Sequence, residues 1–495
     1  MMHLYRTNHL CTGAVWHCLL SGSGSECFTD RKMANGSSLS NFYSARSVFI
    51  TGATGFMGKV LVEKLLRSCP DIKNIYVLIR SKNQMDTKCR VEKLLNSKVP
   101  LRSENPEALS KIISINGEIS EPDFNLSIDN VKILTENVSV VFHFAASVRF
   151  TEPLKQSIRS NLMPINFLLQ LCRKMHSLVA LIHLSTAYSN CTKSFIDEIV
   201  YPAIVPPKTI IEIINNFSEV ITEKISPILI GDHPNSYTFT KCLAETLIKQ
   251  DHGNIPAAIV RPSIVSSSLH EPYAGWVDSF NHSSGFILAI ATGLTRNIQC
   301  CVNNCVDLVP VDVCINLVIA AARETALQNG NEVKVYNCTT GGLNPLASRI
   351  YSKYLHETIY KNPFCQMIRA PLQTQTPTNN LTFSFFMMLD YITFIYPADL
   401  LLNLCQKKSQ LKNQFNKFWK FNYILKTFLT KEWSFSNNNM MELWNSLSAE
   451  DRKIFLFDVK QIDWPIYIKN SVLGCKQYLL KESLDTVPST KKFYR

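Results

Sequence analysis

Tyr237 and Lys241, in Asn235-Ser236-Tyr237-Thr238-Phe239-Thr240-Lys241, are a phenol and an amine four residues apart. On a helix that spacing puts both side chains on one face, one turn apart. A lysine ammonium beside a phenol favours the phenolate and lowers the tyrosine pKa. Tyr237 is then a proton donor to a substrate oxygen, and Lys241 is placed to hold ribose hydroxyls of a nucleotide. The spacing alone is common on exposed helix faces, so its meaning rests on what accompanies it. Ala180-Leu-Ile-His-Leu184 delivers Ser185 and Thr186 at the end of an apolar run. Either hydroxyl could bond the same substrate oxygen, and Thr186 is preferred.

The companion motif is Ser47-Val-Phe-Ile-Thr-Gly-Ala-Thr-Gly-Phe-Met-Gly-Lys59. An apolar run meets Gly52, Gly55 and Gly58, and a helical pattern with Leu61, Val62, Leu65 and Leu66 on one face follows. Strand, tight turn and helix start together make a dinucleotide site, with glycines near the pyrophosphate and the helix N-terminus facing its charge. Thr51, Gly52, Thr54, Gly55, Phe56, Met57 and Gly58 are the residues expected to hold it. A second apolar run, Ile75 to Ile79, ends at Arg80, with Lys82 nearby. An acid there would bind a ribose 2′-hydroxyl, whereas an arginine accommodates a 2′-phosphate, so Arg80 selects NADPH over NADH.

Further runs at Ile112–Ile115, Val138–His143, Ala180–Leu184 and Val333–Asn337 read as strands. After Val138–His143 come Phe144, Ala145 and Ala146, small enough at Ala145 for the chain to pass close to the cofactor. A charged helical segment is expected over Lys88–Leu95. Strands alternating with helical stretches imply an α/β fold with a doubly wound parallel sheet, whose ligands gather at the carboxyl ends of strands.

A chain of 495 residues with 46% hydrophobic and 18% charged residues implies two or three globular domains. The net charge of +12 is too dispersed for a nucleic-acid partner and fits phosphorylated ligands or anionic lipid. The 16 cysteines lack metal-ligand spacing, so no metal is expected and the thiols read as reduced. Met1 to Ser40 reads as a disordered leader or gene-model artefact. Its apolar patch, Ala14 to Leu20, is interrupted by His17 and makes no signal peptide.

Taken together, these residues resemble the extended short-chain dehydrogenases/reductases and, more narrowly, the alcohol-forming fatty acyl-CoA reductases, especially insect ones. Val141-Phe-His-Phe-Ala-Ala-Ser-Val-Arg-Phe150, Leu184-Ser-Thr-Ala-Tyr188, Val260-Arg-Pro-Ser-Ile-Val265 and Gly275-Trp-Val-Asp278 carry the likeness. So do Val309-Pro-Val-Asp312, Leu447-Ser-Ala-Glu-Asp-Arg452 and Asp463-Trp464. The resemblance implies a Rossmann-type reductase domain over 41–345 with substrate-binding insertions, then a helical C-terminal domain over 346–495. It also implies NADPH-dependent reduction of long-chain acyl-CoA, through an aldehyde, to a primary alcohol, with Tyr237, Lys241, Thr186 and Ser185 as the catalytic set. The family's Gly-Asp-Ile reads Gly117-Glu118-Ile119 here, leaving Glu118 near the adenine. The family's Asn-Gly-Pro turn after Trp276 reads Asp278-Ser279-Phe280-Asn281-His282-Ser283-Ser284, in a loop expected to shape the acyl pocket. A reductase acting on another substrate, and a catalytically impaired lipid-binding relative, are the alternatives.

Ile210 to Ile230 reads as a helical insertion over the substrate channel or as a plain surface helix. Leu381 to Tyr396 is apolar, carries Asp390 and stops at Pro397, short of the roughly 20 residues a membrane span needs. A re-entrant, interfacial or buried helix is therefore expected. Seven lysines and no acid lie between Asp399 and Glu432, a basic face for lipid or for CoA phosphates. Residues to Arg495 show neither a C-terminal anchor nor a peroxisomal address. The resemblance implies membrane association on the cytosolic side, at the endoplasmic reticulum or peroxisome, and oligomeric state is not legible.

Overall fold

The apolar runs form one seven-stranded parallel sheet: β1 Ser47–Thr51, β2 Asn74–Ile79, β3 Ile112–Asn116, β4 Val138–His143, β5 Ala180–Leu184, β6 Ala257–Pro262 and β7 Lys334–Cys338. The computed structural model describes residues 38–80, 106–280, 283–328, 332–405 and 409–484. Most of the expected leader, Lys82, the segment Lys88–Leu95, Asn281, His282, Lys407, Lys408 and the tail from Val487 lie outside the described residues.

Across the sheet the order is β7-β6-β5-β4-β1-β2-β3. The winding direction reverses between β1 and β4, the switch point where doubly wound sheets open a ligand crevice. β1, β4 and β5 are buried along their whole length, because helices cover both faces, and that is why they read as unbroken apolar runs. β6 does not read that way, since it carries Arg261 and ends in Pro262, yet it too is buried throughout.

Eight helices matter for the site. α1 is Phe56–Ser68, α2 Ser236–Asp251, α3 Ser283–Ala291, α4 Val311–Leu327 and α5 Ser348–Lys361. α6 is Asn380–Leu404, α7 Leu411–Thr430 and α8 Trp464–Gly474. The core under one face of the sheet joins Val48, Ile50 and Phe142 to Phe455, Phe457 and Trp464, so the chain's last described segment packs on the sheet itself. A two-residue strand Ser434–Phe435 also pairs in parallel with Phe195–Ile196.

Three features depart from the sequence reading. Leu39, inside the stretch taken as leader, is part of the fold: it is buried, and its amide donates to an Asp451 carboxylate oxygen at 2.9 Å. The Ile210–Ile230 stretch is two helices, Pro207–Asn216 and Glu219–Ile230, separated by the Ser218 cap. Ile210 and Ile214 pack with Ile158 and Leu243 against the sheet, and no residue of either helix lines the cavity described below.

The third departure is α6, which runs for 25 residues straight through Pro397. A π-turn over Tyr391–Ile395 shifts the ladder, so that the Tyr396 amide reaches the Tyr391 carbonyl. Pro397 then stands in the first turn of the next helical segment, where its missing N–H costs no bond. A buried helix is also excluded, because Leu381, Phe385, Met388, Ile392, Leu401 and Leu404 are exposed.

Candidate active site

At the end of β1 the three glycines do different work. Gly52 has φ +77°, and a Cβ there would meet the Ala145 amide at 2.7 Å. A Cβ on Gly58 would collide with the Gly52 carbonyl, so this glycine lets α1 sit down on the turn. A Cβ on Gly55 would meet only the Gly52 carbonyl, at 3.3 Å, and otherwise points into open space. No side chain caps α1, leaving its first amides for an anion. The turn therefore fits a dinucleotide pyrophosphate.

Gly52, Gly55, Phe56, Met57 and Gly58 all line a cavity of about 910 Å³. Thr51, Thr54 and Ala145 do not line it. Thr51 ties strand ends together instead: its Oγ1 accepts the Ala145 amide at 3.2 Å and lies 2.9 Å from His143 Nδ1. Arg80 and Glu118, at the ends of β2 and β3, also stand outside the cavity wall and pair with each other at 3.6 Å.

The same cavity is lined by Ser185, Thr186, Tyr237 and Lys241, so the structure brings the four candidate catalytic residues together beside the glycine turn. α2 starts at Asn235, whose side chain caps the Thr238 amide and sets the helix across the end of β5. Lys241 is buried, and its Nζ donates to the Leu184 carbonyl at 2.7 Å. Burial drives its pKa down to about 8, with the Glu245 carboxylate opposing the fall. His143 and His183 stack at 5.4 Å; burial first, then the charge of Lys241, keeps both imidazoles neutral.

The expected lowering of the Tyr237 pKa is not found. Burial pushes the phenol up to about 12, and the opposing influence is a hydrogen bond with Thr186 rather than the lysine. The physical reason is desolvation, which penalises the phenolate, while the Lys241 ammonium points its hydrogen bond to the Leu184 carbonyl. Tyr237 is held as the neutral acid.

Ser185 and Thr186 divide the work as well. Ser185 Oγ donates to Glu245, which stands one turn past Lys241. Glu245 takes Arg261 in a two-pronged pair, Nε to Oε1 at 2.9 Å and an Nη to Oε2 at 2.6 Å. Arg261 also donates to the carbonyls of Asp197 and Ile199 at 3.0 and 2.8 Å. Ser185 is thus bound into a buried structural network, whereas Thr186 faces Tyr237. The sequence reading missed Glu245 and Arg261 as a pair; the periodicity Tyr237, Lys241, Glu245 on one helix face was the available signal.

Beyond Tyr237 the wall becomes aromatic. Phe150 lies 5.5 Å from the Tyr237 ring and 5.7 Å from Phe428 of α7. Tyr188 meets Phe428 at 5.1 Å and Trp433 at 5.4 Å. Val277, Asp278, Ser279, Ser283 and Ser284 of the altered loop line the cavity too, and Asp278 pairs with Lys59 of α1 at 2.6 Å.

A helix carrying tyrosine and lysine across the end of β5, beside a glycine turn at the switch point, is the arrangement of the extended short-chain dehydrogenases/reductases. Solved structures agree on the fold. The terminal R domain from the myxalamid PKS-NRPS biosynthetic pathway superposes with a TM-score of 0.57 at 16% identity, covering 87% of this chain and 90% of that one. The reductase domain of a nonribosomal peptide synthetase from Mycobacterium tuberculosis gives 0.57 at 17% identity, covering 87% and 93%. An NAD-binding family model described as "Male sterility protein" matches residues 50–318, and a second of that description matches 390–482. Fatty acyl-CoA reductase 1 of Xenopus laevis is 38% identical over 457 residues, 92% of this chain and 88% of that protein. Fatty acyl-CoA reductase 2 of Mus musculus is 39% identical over 461 residues, 93% and 89%. The chain belongs to the fatty acyl-CoA reductases, and it binds a nicotinamide cofactor.

Proposed function

We propose that the protein reduces long-chain fatty acyl-CoA to the primary alcohol, with NADPH as reductant and an aldehyde between the two stages. One observation carries this reading: a single cavity joins the glycine turn, the Tyr237–Lys241–Thr186 set and an aromatic wall suited to an alkyl chain. Bound at the glycine turn, a first cofactor molecule would supply hydride to the thioester carbon and a second to the aldehyde carbon; between them the protonated thiohemiacetal expels CoA as its thiol to leave the aldehyde. In each stage negative charge develops on the carbonyl oxygen. Tyr237 donates its proton there, and Thr186 hydrogen-bonds the same oxygen. Lys241, fixed by the Leu184 carbonyl, would hold the nicotinamide ribose hydroxyls. Ser185 acts through Glu245 as a positioning residue. Expression in a lipid-producing cell, with chromatography of the alcohols formed, tests the reading. New fatty alcohol supports it; its absence from cells holding folded protein contradicts it.

The choice of NADPH rests on Arg80, which follows β2 where a 2′-phosphate would lie, with Glu118 across from it. Arg80→Glu is expected to raise the KM for NADPH about tenfold or more while changing that for NADH little. Steady-state kinetics with both cofactors decides it, and equal losses would remove Arg80 from this role.

The helix α6 supports membrane association; its placement on the cytosolic side, at the endoplasmic reticulum or peroxisome, is proposed from the family resemblance alone. Its exposed apolar stripe runs beside α7, where Lys412, Lys417 and Lys420 are exposed. Its inner face is fixed to protein: Phe383 and Met387 are buried, and Asp390 takes both Nη groups of Arg369 at 2.8 Å. A helix so anchored lies in the interface rather than across the bilayer. Flotation with vesicles containing phosphatidylserine is expected to carry the protein, and a Phe385→Glu/Leu401→Glu variant to stay behind. Equal flotation of both would place attachment elsewhere.

A further inference from the structure

The cavity has one wall that hydride chemistry does not use. α5 turns Arg349, Ser352, Lys353, His356, Glu357 and Tyr360 toward it, with the buried Leu355 also on the wall and Ile359 buried behind. Lys431, just past α7, lines the same region. Hydrogen bonds draw these elements together around residues 302–305. The Arg349 amide donates to the Val302 carbonyl at 2.9 Å, and Asn304 Nδ2 donates to the Thr430 carbonyl at 3.1 Å.

Three cations, Arg349, Lys353 and Lys431, line this end together with the acids Glu357 and Glu432. Among the described residues, none of Arg349, Lys353 and Lys431 is in an ion pair, and all three are exposed. The acids nearby are Glu357, which is exposed, and Glu432, which accepts the Cys305 amide at 3.0 Å. Asp307, deeper in, is held by the Thr340 and Gly341 amides at 2.8 and 2.9 Å. Asp278 is matched by Lys59. Of the seven lysines between Asp399 and Glu432, Lys431 alone is on the cavity wall among the described ones, so the basic stretch splits into a cavity-facing and an outward-facing part.

We propose that Arg349, Lys353 and Lys431 bind the phosphates of the CoA portion of the substrate. This rests on the acyl-CoA reading given above and deepens it. The cofactor's phosphates belong at the opposite end, at the start of α1. The aromatic wall of Phe150, Tyr188, Phe428 and Trp433 suits the alkyl chain. The remaining part of an acyl thioester is its polyanionic leaving group, and the cationic face is where the cavity can receive it. From Arg349 to Tyr360 the helix spans about 16 Å, enough to track an extended phosphate-bearing chain.

The two stages of the reaction supply the test, because the aldehyde carries no CoA. In Arg349→Glu/Lys353→Glu protein, the KM for palmitoyl-CoA is expected to rise about tenfold or more. Reduction of hexadecanal and the KM for NADPH are expected to stay within about twofold, since neither depends on that contact. Glu357→Lys is expected to move the palmitoyl-CoA KM the other way, which keeps the test alive if the double variant folds poorly. Unchanged palmitoyl-CoA kinetics in both variants, or equal losses with the two substrates, would overturn the proposal alone. Wild-type protein that reduces hexadecanal but not palmitoyl-CoA would overturn the acyl-CoA reading together with it.

Discussion

Tyr237→Phe is expected to lower turnover of acyl-CoA by about 10²- to 10⁴-fold, the usual contribution of a positioned general acid. The substitution removes one hydroxyl from a ring that stays packed against Phe150 at 5.5 Å, so folding and cofactor binding remain. Burial keeps the phenol protonated up to about 12, and it therefore acts as an acid across the physiological range. Fluorescence titration with NADPH separates lost chemistry from lost binding. A variant that still forms alcohol at the wild-type rate would exclude Tyr237 as the proton donor.

The second large effect is on stability. Arg261 and Glu245 are both buried, with side-chain exposures of 0% and 1%. Arg261→Met leaves the Glu245 carboxylate without its guanidinium partner in a desolvated site, a loss of about 3–5 kcal/mol. Denaturant melts should show it as a lower midpoint. Removing the partner as well, in Arg261→Met/Glu245→Leu, should restore much of the stability, because no orphaned charge remains. Catalysis need not return with it. Glu245 also holds Ser185 and opposes the fall in the Lys241 pKa, so the double variant can fold with a displaced catalytic helix.

That pair also explains why part of the fold was hidden in the sequence. β1, β4 and β5 are legible because strands covered on both faces must be apolar throughout. β6 breaks the pattern at Arg261, and only a carboxylate from α2, sixteen positions back in the chain, makes a buried arginine tolerable there. The catalytic helix was legible from local spacing. The division between Ser185 and Thr186 was not, since it depends on which hydroxyl Glu245 claims. Nor was the course of α6, because Pro397 ends a helix unless the ladder slips by one residue before it, as the π-turn at Tyr391–Ile395 allows. A lysine count along α7 could not separate Lys431 on the cavity from Lys412, Lys417 and Lys420 outside it.

The central claim is that one cavity carries an acyl thioester through both stages to the alcohol. Stoichiometry tests it most directly. Purified protein with limiting palmitoyl-CoA is expected to oxidise two NADPH for each free CoA released, with hexadecanol as the product. One NADPH per CoA with hexadecanal as the end product, or CoA release without NADPH oxidation, would contradict the account.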